Sequence, residues 1–154
     1  MSQYETADLS SLDTGQRPTG ITMGIDSTHF EKCPKPRPEL NGLRLTLPNS
    51  AGIYLIDQGL RRWIPNPSTY NNLFKDWNNI ITNIDVLQIP AGPDITNGAI
   101  LATPLAGGPV YLIDNGCKRG ISSVDTFNKY YFSWDSVYHV PLILLDYLQS
   151  GPDI

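Results

Sequence analysis

A fourteen-residue stretch occurs twice in this chain, and the pair constrains the fold more than any other feature. Ala51-Gly-Ile-Tyr-Leu-Ile-Asp-Gln-Gly-Leu-Arg-Arg-Trp-Ile64 returns as Gly108-Pro-Val-Tyr-Leu-Ile-Asp-Asn-Gly-Cys-Lys-Arg-Gly-Ile121. Tyr54 answers to Tyr111, Asp57 to Asp114, Gly59 to Gly116 and Ile64 to Ile121, each 57 residues on. The same spacing carries Thr69, Asn71 and Trp77 onto Thr126, Asn128 and Trp134, so a whole structural unit is repeated rather than one hairpin. Repetition on this scale predicts units that share one core.

Each copy reads as a β-hairpin followed by a short helix. Ile53 to Asp57 and Val110 to Asp114 run into Gln58-Gly59 and Asn115-Gly116, pairs that tolerate positive φ and so close two-residue turns. The return strands are Arg61-Arg-Trp-Ile64 and Lys118-Arg-Gly-Ile121. Upstream, Leu43 to Leu47 alternates apolar and polar residues, which places Leu43, Leu45 and Leu47 on one buried face, and Ala99 to Thr103 is its counterpart. Downstream, Asn66-Pro67 and Ser123-Val124 supply an N-cap and a first helical residue. Tyr70, Leu73 and Phe74, and Phe127, Tyr130 and Tyr131, then fall at helical spacing on one face. Ile84 to Ile89 and Leu142 to Leu148 are candidates for a second small helix.

The fold class expected is α+β: two tandem hairpin-plus-helix units with pseudo-two-fold symmetry, residues 37–91 and 92–154, in one compact domain. Residues 1–36 are polar and lack a repeat counterpart, and we expect them to form an N-terminal strap. Within them Ile21 to Ile25 is the one strand candidate, and Pro34, Pro36 and Pro38 impose an extended linker. A shared core of Leu55, Ile56, Leu112, Ile113, Phe74, Trp77, Tyr131 and Trp134 follows. Gly151-Pro-Asp-Ile154 repeats Gly92-Pro-Asp-Ile95 and reads as a truncated third unit, whose open edge needs the strap or a second chain to cover it. A β-trefoil is the alternative, and it requires a degenerate third unit in residues 1–50.

Composition narrows the partners. A formal charge of −4 argues against a nucleic-acid surface, which needs cations to neutralise phosphates. No run reaches the roughly 18 apolar residues of a membrane span, so no membrane insertion is expected. The start Met-Ser-Gln-Tyr-Glu-Thr-Ala-Asp lacks the basic and apolar regions of a signal peptide. That predicts cytosolic synthesis, with non-classical release as the route outside, and leaves the compartment of action open. Cys33 and Cys117 are read as independent free thiols.

Catalytic motifs are absent from the sequence. His29 and His139 stand outside any catalytic or metal-ligand spacing, and neither a phosphate loop nor a nucleophile elbow occurs. Asp57 and Asp114 could pair as acid and base across the pseudo-axis, but their place beside a turn has a simpler explanation, since Asp accepts from turn amides. No catalytic residue, metal or cofactor is therefore expected. Trp77 and Trp134, shared by both copies, are assigned to the core between hairpin and helix, with a sugar-stacking role as the alternative. Trp63 stands where the second copy has Gly120, and it is either a sugar-stacking platform or a filler at the unit interface.

The pattern Val-Tyr-Leu-Ile-Asp-x-Gly-x-Lys/Arg-Arg-x-Ile, with a following Trp and a closing Gly-Pro-x-Ile, resembles a roughly 50-residue tandem repeat of bacterial extracellular and cell-surface proteins. The likeness covers residues 37–154 and implies a non-catalytic binding or surface module. The function expected is a lectin-like, carbohydrate-binding module with a glycan or protein surface as partner. Its site is placed on the hairpin loop and return strand: Asp57, Gln58, Arg61, Trp63 and Asn66, with Asp114, Asn115, Lys118 and Arg119 as a weaker copy. A self-assembling structural or interaction protein is the alternative, with a homodimer among the partners considered, and an enzyme with an unrecognised site the third.

Overall fold

In the computed structural model, which describes residues 34–154, each copied stretch folds as the hairpin its turn demands. Strands β2 (Ile53–Asp57) and β3 (Leu60–Trp63) pair antiparallel from Tyr54↔Trp63 to Asp57↔Leu60. Strands β6 (Tyr111–Asp114) and β7 (Cys117–Gly120) pair from Tyr111↔Gly120 to Asp114↔Cys117. Both residues of each turn have positive φ, 54° and 75° at Gln58 and Gly59, 54° and 72° at Asn115 and Gly116. That geometry matches the right-handed twist of the flanking strands.

The first strand of each unit adds antiparallel to its hairpin, β1 (Arg44–Thr46) on β2 and β5 (Ile100–Pro104) on β6. Helices α1 (Pro67–Leu73) and α2 (Val124–Lys129) follow, started as expected by Asn66 and Ser123, whose side chains accept from Thr69 N and Thr126 N. A return was not foreseen. After each helix the chain crosses back and lays a short strand parallel to the first, β4 (Ile81–Thr82) on β1 and β8 (Val137–Val140) on β5. Parallel pairing needs such a crossover, and strands of two and four residues carry too little alternation to be read from sequence.

The fold is mixed α/β, with a four-stranded sheet in the order β3-β2-β1-β4 and a five-stranded sheet in the order β8-β5-β6-β7-β9. Strand β9 (Gln149–Ser150) lies parallel to β7. Behind it, Gly151 N and Ile154 N donate to the carbonyls of Lys118 and Gly120. Gly92 N and Ile95 N treat Arg61 and Trp63 the same way. Gly151–Ile154 thus covers the edge of β7 from within the chain, where the sequence suggested the opening of a third unit. Residues 1–33 of the expected strap, its strand at Ile21–Ile25, most of the third trefoil unit, His29 and Cys33 lie outside the described residues; Cys117 is a free thiol.

One cluster draws on both sheets and both helices, with Leu55, Ile64, Tyr70, Leu73 and Phe74 meeting Leu112, Ile121, Phe127, Tyr130 and Phe132. A smaller cluster under the 3₁₀ turn Val86–Gln88 holds Leu45 and Ile56, with Leu43 and Leu47 packed against it as the alternation predicted. Leu55, Ile56, Leu112 and Phe74 are core residues as expected, whereas Ile113 and Tyr131 are half-buried and Trp77 and Trp134 are 47% exposed. The indoles sit on the outer face of the aromatic residues they were expected to cover from inside. Helix α2 ends early, and Tyr131 takes φ 60°, which swings Phe132 into the core in its place. Leu142–Asp146 forms α3, as expected, but Leu145 is its one buried residue.

Candidate functional site

Four of the shared charged residues turn inward and meet. Asp57 and Asp114 end β2 and β6; Arg62 and Arg119 lie on the return strands, and all four are at most 6% exposed. Arg62 donates to Asp57 at 3.0 Å and also to Asp114, while Arg119 donates to both Asp57 oxygens at 2.5 and 3.2 Å. Tyr130 adds a hydroxyl bond to Asp57 at 3.2 Å, and Thr96 N donates to Asp114 at 2.9 Å. The Nε atoms of Arg62 and Arg119 reach the carbonyls of Pro93 and Pro152, each at 2.8 Å. Two guanidiniums thus balance two carboxylates.

Burial by itself would raise the Asp57 carboxyl, but the Arg119 and Arg62 guanidiniums outweigh it and hold the group below the usual carboxylate range. Tyr130 is pushed well above its ordinary value by burial and by the Asp57 charge. This cluster is a lock between the two hairpins, and it withdraws Asp57, Asp114 and Arg119 from the surface site the sequence assigned to them. Asp57 serves guanidiniums and a phenol, not turn amides.

The remaining expected ligands do not converge. Gln58 is exposed at the turn, while Trp63 ends β3 roughly 16 Å away at strand rise and Asn66 lies beyond it. Arg61 donates to the carbonyl of Ile89 and lies over the Tyr54 ring, and Lys118 donates to that of Leu145 and lies near the Tyr111 ring. Asn115 accepts from Thr96 Oγ1. Asn66 accepts from Thr69 N and donates to Asn97, each at 2.8 Å. Among the described residues no three His, Cys, Asp or Glu side chains converge as a metal centre requires.

Trp63 belongs to a different constellation. It is 40% exposed and forms one wall of a cleft of about 410 Å³ that also contains Ile53, Pro65, Pro67, Tyr70 and Trp77. Trp77 stacks on Tyr70 with ring centres 4.0 Å apart and anchors its indole N–H on Asn71 at 2.9 Å. Tyr70 in turn is held by Arg44, which donates to its hydroxyl at 2.5 Å, and by its own donation to the Asp76 carbonyl. The Tyr70–Trp77 wall is therefore fixed before any ligand arrives.

No charged side chain lines the cleft. Asn66, Tyr70 and Trp77 spend their polar atoms on the protein, whereas the Trp63 indole N–H has no partner among the described residues. What the cleft offers is π faces, proline rings and one free donor, a lining suited to an uncharged ligand with a flat C–H face. Sequence reasoning found Trp63 through its contrast with Gly120. It missed Trp77, because a residue present in both copies reads as core. Comparison with family models, curated proteins and solved structures finds no match to this chain.

Proposed function

We propose that the chain is a non-catalytic binding module of two duplicated units related by an approximate two-fold axis, and that it holds neutral carbohydrate in the Trp63–Trp77 cleft. The observation that carries this reading is the pair of half-exposed indoles on one uncharged cleft, Trp63 at the end of β3 and Trp77 stacked on Tyr70 and bonded to Asn71. A pyranose presents an axial C–H face that stacks on an aromatic ring, and preorganised rings lose little entropy when it does so. Of the residues first assigned to the site, Trp63 remains its centre and Asn66 supports it by capping α1. Asp57, Asp114 and Arg119 support it from a distance, by locking the hairpins.

A glycan array probed with the full chain tests the reading, with Trp63→Ala and Trp77→Ala as controls. Each variant is expected to lose on the order of 1–3 kcal/mol of affinity while keeping the wild-type melting temperature within a few degrees. Silence of the wild type across the array removes the carbohydrate reading.

A second reading, a self-assembling structural protein, draws support from another surface. Leu142, Ile143, Leu144 and Tyr147 are more than half exposed beside the edge strand β8. Contiguous exposed apolar groups of this kind mark interaction surfaces. Sedimentation velocity at tens of micromolar distinguishes the readings, since a strict monomer there contradicts assembly and leaves the cleft untouched.

A further inference from the structure

The second unit carries a cleft in the corresponding place. Ile121, Ser123, Phe127 and Trp134 line it, each 57 residues after Ile64, Asn66, Tyr70 and Trp77 of the first cleft. The geometry of the wall repeats as well. Trp134 stacks on Phe127 with centres 3.8 Å apart at 25°, against 4.0 Å and 24° for Trp77 on Tyr70. Its N–H is anchored on Asn128 at 3.1 Å, as that of Trp77 is on Asn71. Ser123 is committed to Thr126, as Asn66 is to Thr69. No charged side chain lines this cleft either.

One wall is missing. Gly120 stands in place of Trp63, and the nearest atom to a Cβ built there is the Asp153 carboxylate oxygen, at 3.0 Å. The volume falls accordingly from about 410 to about 220 Å³. A ligand that bridges two rings in the first cleft can stack on one face only in the second.

We propose that the Phe127–Trp134 cleft is a second and weaker site for the same ligand, and that the ligand is a chain of β-1,4-linked glucose. The proposal rests on the carbohydrate reading above and narrows it. With the side-chain polar atoms of both linings bonded to protein, the Trp63 indole N–H apart, recognition falls mainly on the ring faces. A sugar with an axial hydroxyl would press that group, unpartnered, against an indole. Glucose in β linkage has every substituent equatorial and leaves both faces as C–H. Uronic and sulfated sugars would bring a charge into a lining that has nothing to balance it.

The experiment is calorimetric titration of the full chain with cellohexaose, with mannohexaose, whose C2 hydroxyl is axial, as the comparison. Two equivalents of cellohexaose are expected, the second about tenfold weaker, as one missing aromatic wall implies. Trp134→Ala should leave a single equivalent at the affinity of the tighter site. Because that variant could perturb folding, the Trp63→Phe/Trp77→Phe protein supplies an independent readout, with Trp134 as its only indole. Its emission should shift on addition of cellohexaose. A single equivalent in the wild type that Trp134→Ala leaves intact, with no shift in the double variant, overturns the second site while the first stands. Equal affinity for mannohexaose, or saturation by a ten-residue polyproline peptide instead of cellohexaose, overturns the ligand class. Absence of heat with every sugar overturns the second site and the carbohydrate reading together.

Discussion

Arg119 illustrates how much rests on single side chains in this protein. Its guanidinium joins the second hairpin to Asp57 of the first through two bonds, and its Nε holds the carbonyl of Pro152. Arg119→Ala leaves Asp57 buried beside one remaining cation, and the expected loss is about 3–5 kcal/mol of stability by denaturant titration. Asp57→Ala should cost more than Asp114→Ala. The first carboxylate accepts from two guanidiniums and Tyr130, the second from Arg62 and one backbone amide. A pH dependence follows with its sign set by the lowered Asp57 value. The folded carboxyl binds its proton less readily than the unfolded one, near ~3.9. Its stabilisation is therefore complete above that range and is lost as pH falls through the lower folded value. Thermal melts should be flat in this contribution from neutrality down to about pH 5 and drop steeply below about pH 4; a melting temperature that rises on acidification would contradict the role given to Asp57.

At the scale of elements, the two hairpins have the same turn but different surroundings. Gly59 and Gly116 both adopt positive φ, 75° and 72°, so an alanine at either costs on the order of 1 kcal/mol. A Cβ at Gly59 would in addition meet Arg37 N at 2.8 Å and Pro36 Cβ at 2.9 Å, whereas at Gly116 nothing lies within 4 Å. Gly59→Ala should accordingly destabilise well beyond Gly116→Ala, and equal melting temperatures for the two variants would mean that Pro36 and Arg37 do not pack on the turn. The helix starts offer a gentler comparison. Asn66→Ala removes the cap on Thr69 N and a bond to Asn97, and about 1–2 kcal/mol should go with it.

For the molecule as a whole, the decisive feature is that the larger core cluster is built from both halves of the described chain. Phe74 and Phe132 stack with centres 5.7 Å apart and also bridge through their backbones, flanked by bonds from Lys75 N to Tyr131 and from Ser133 N to Leu73. Together with the Asp57–Arg119 pair, these contacts make each half the missing solvent barrier of the other. Residues 35–98 expressed alone should therefore fail to melt cooperatively, by circular dichroism, even though they contain a complete four-stranded sheet. Phe132→Ala, at the centre of the shared cluster, should cost about 3–5 kcal/mol in the intact chain.

Local chemistry made part of this architecture legible from sequence alone. Gln58-Gly59 and Asn115-Gly116 dictate their turns through positive φ, Asn66 and Ser123 begin helices through their own oxygens, and the 57-residue spacing matches one hairpin to the other. These are properties of a few neighbouring residues. Where a side chain points once two units dock is not such a property. Asp57 and Arg119 look like surface residues beside a turn, and only their meeting across 62 positions makes burial affordable, since a carboxylate leaves water only for a paired cation. Trp77 and Trp134 look like core because they are large, apolar and repeated. Tertiary packing fills the interior with Phe74, Phe127 and Phe132, and the indoles cap Tyr70 and Phe127 from outside, as the walls of two clefts.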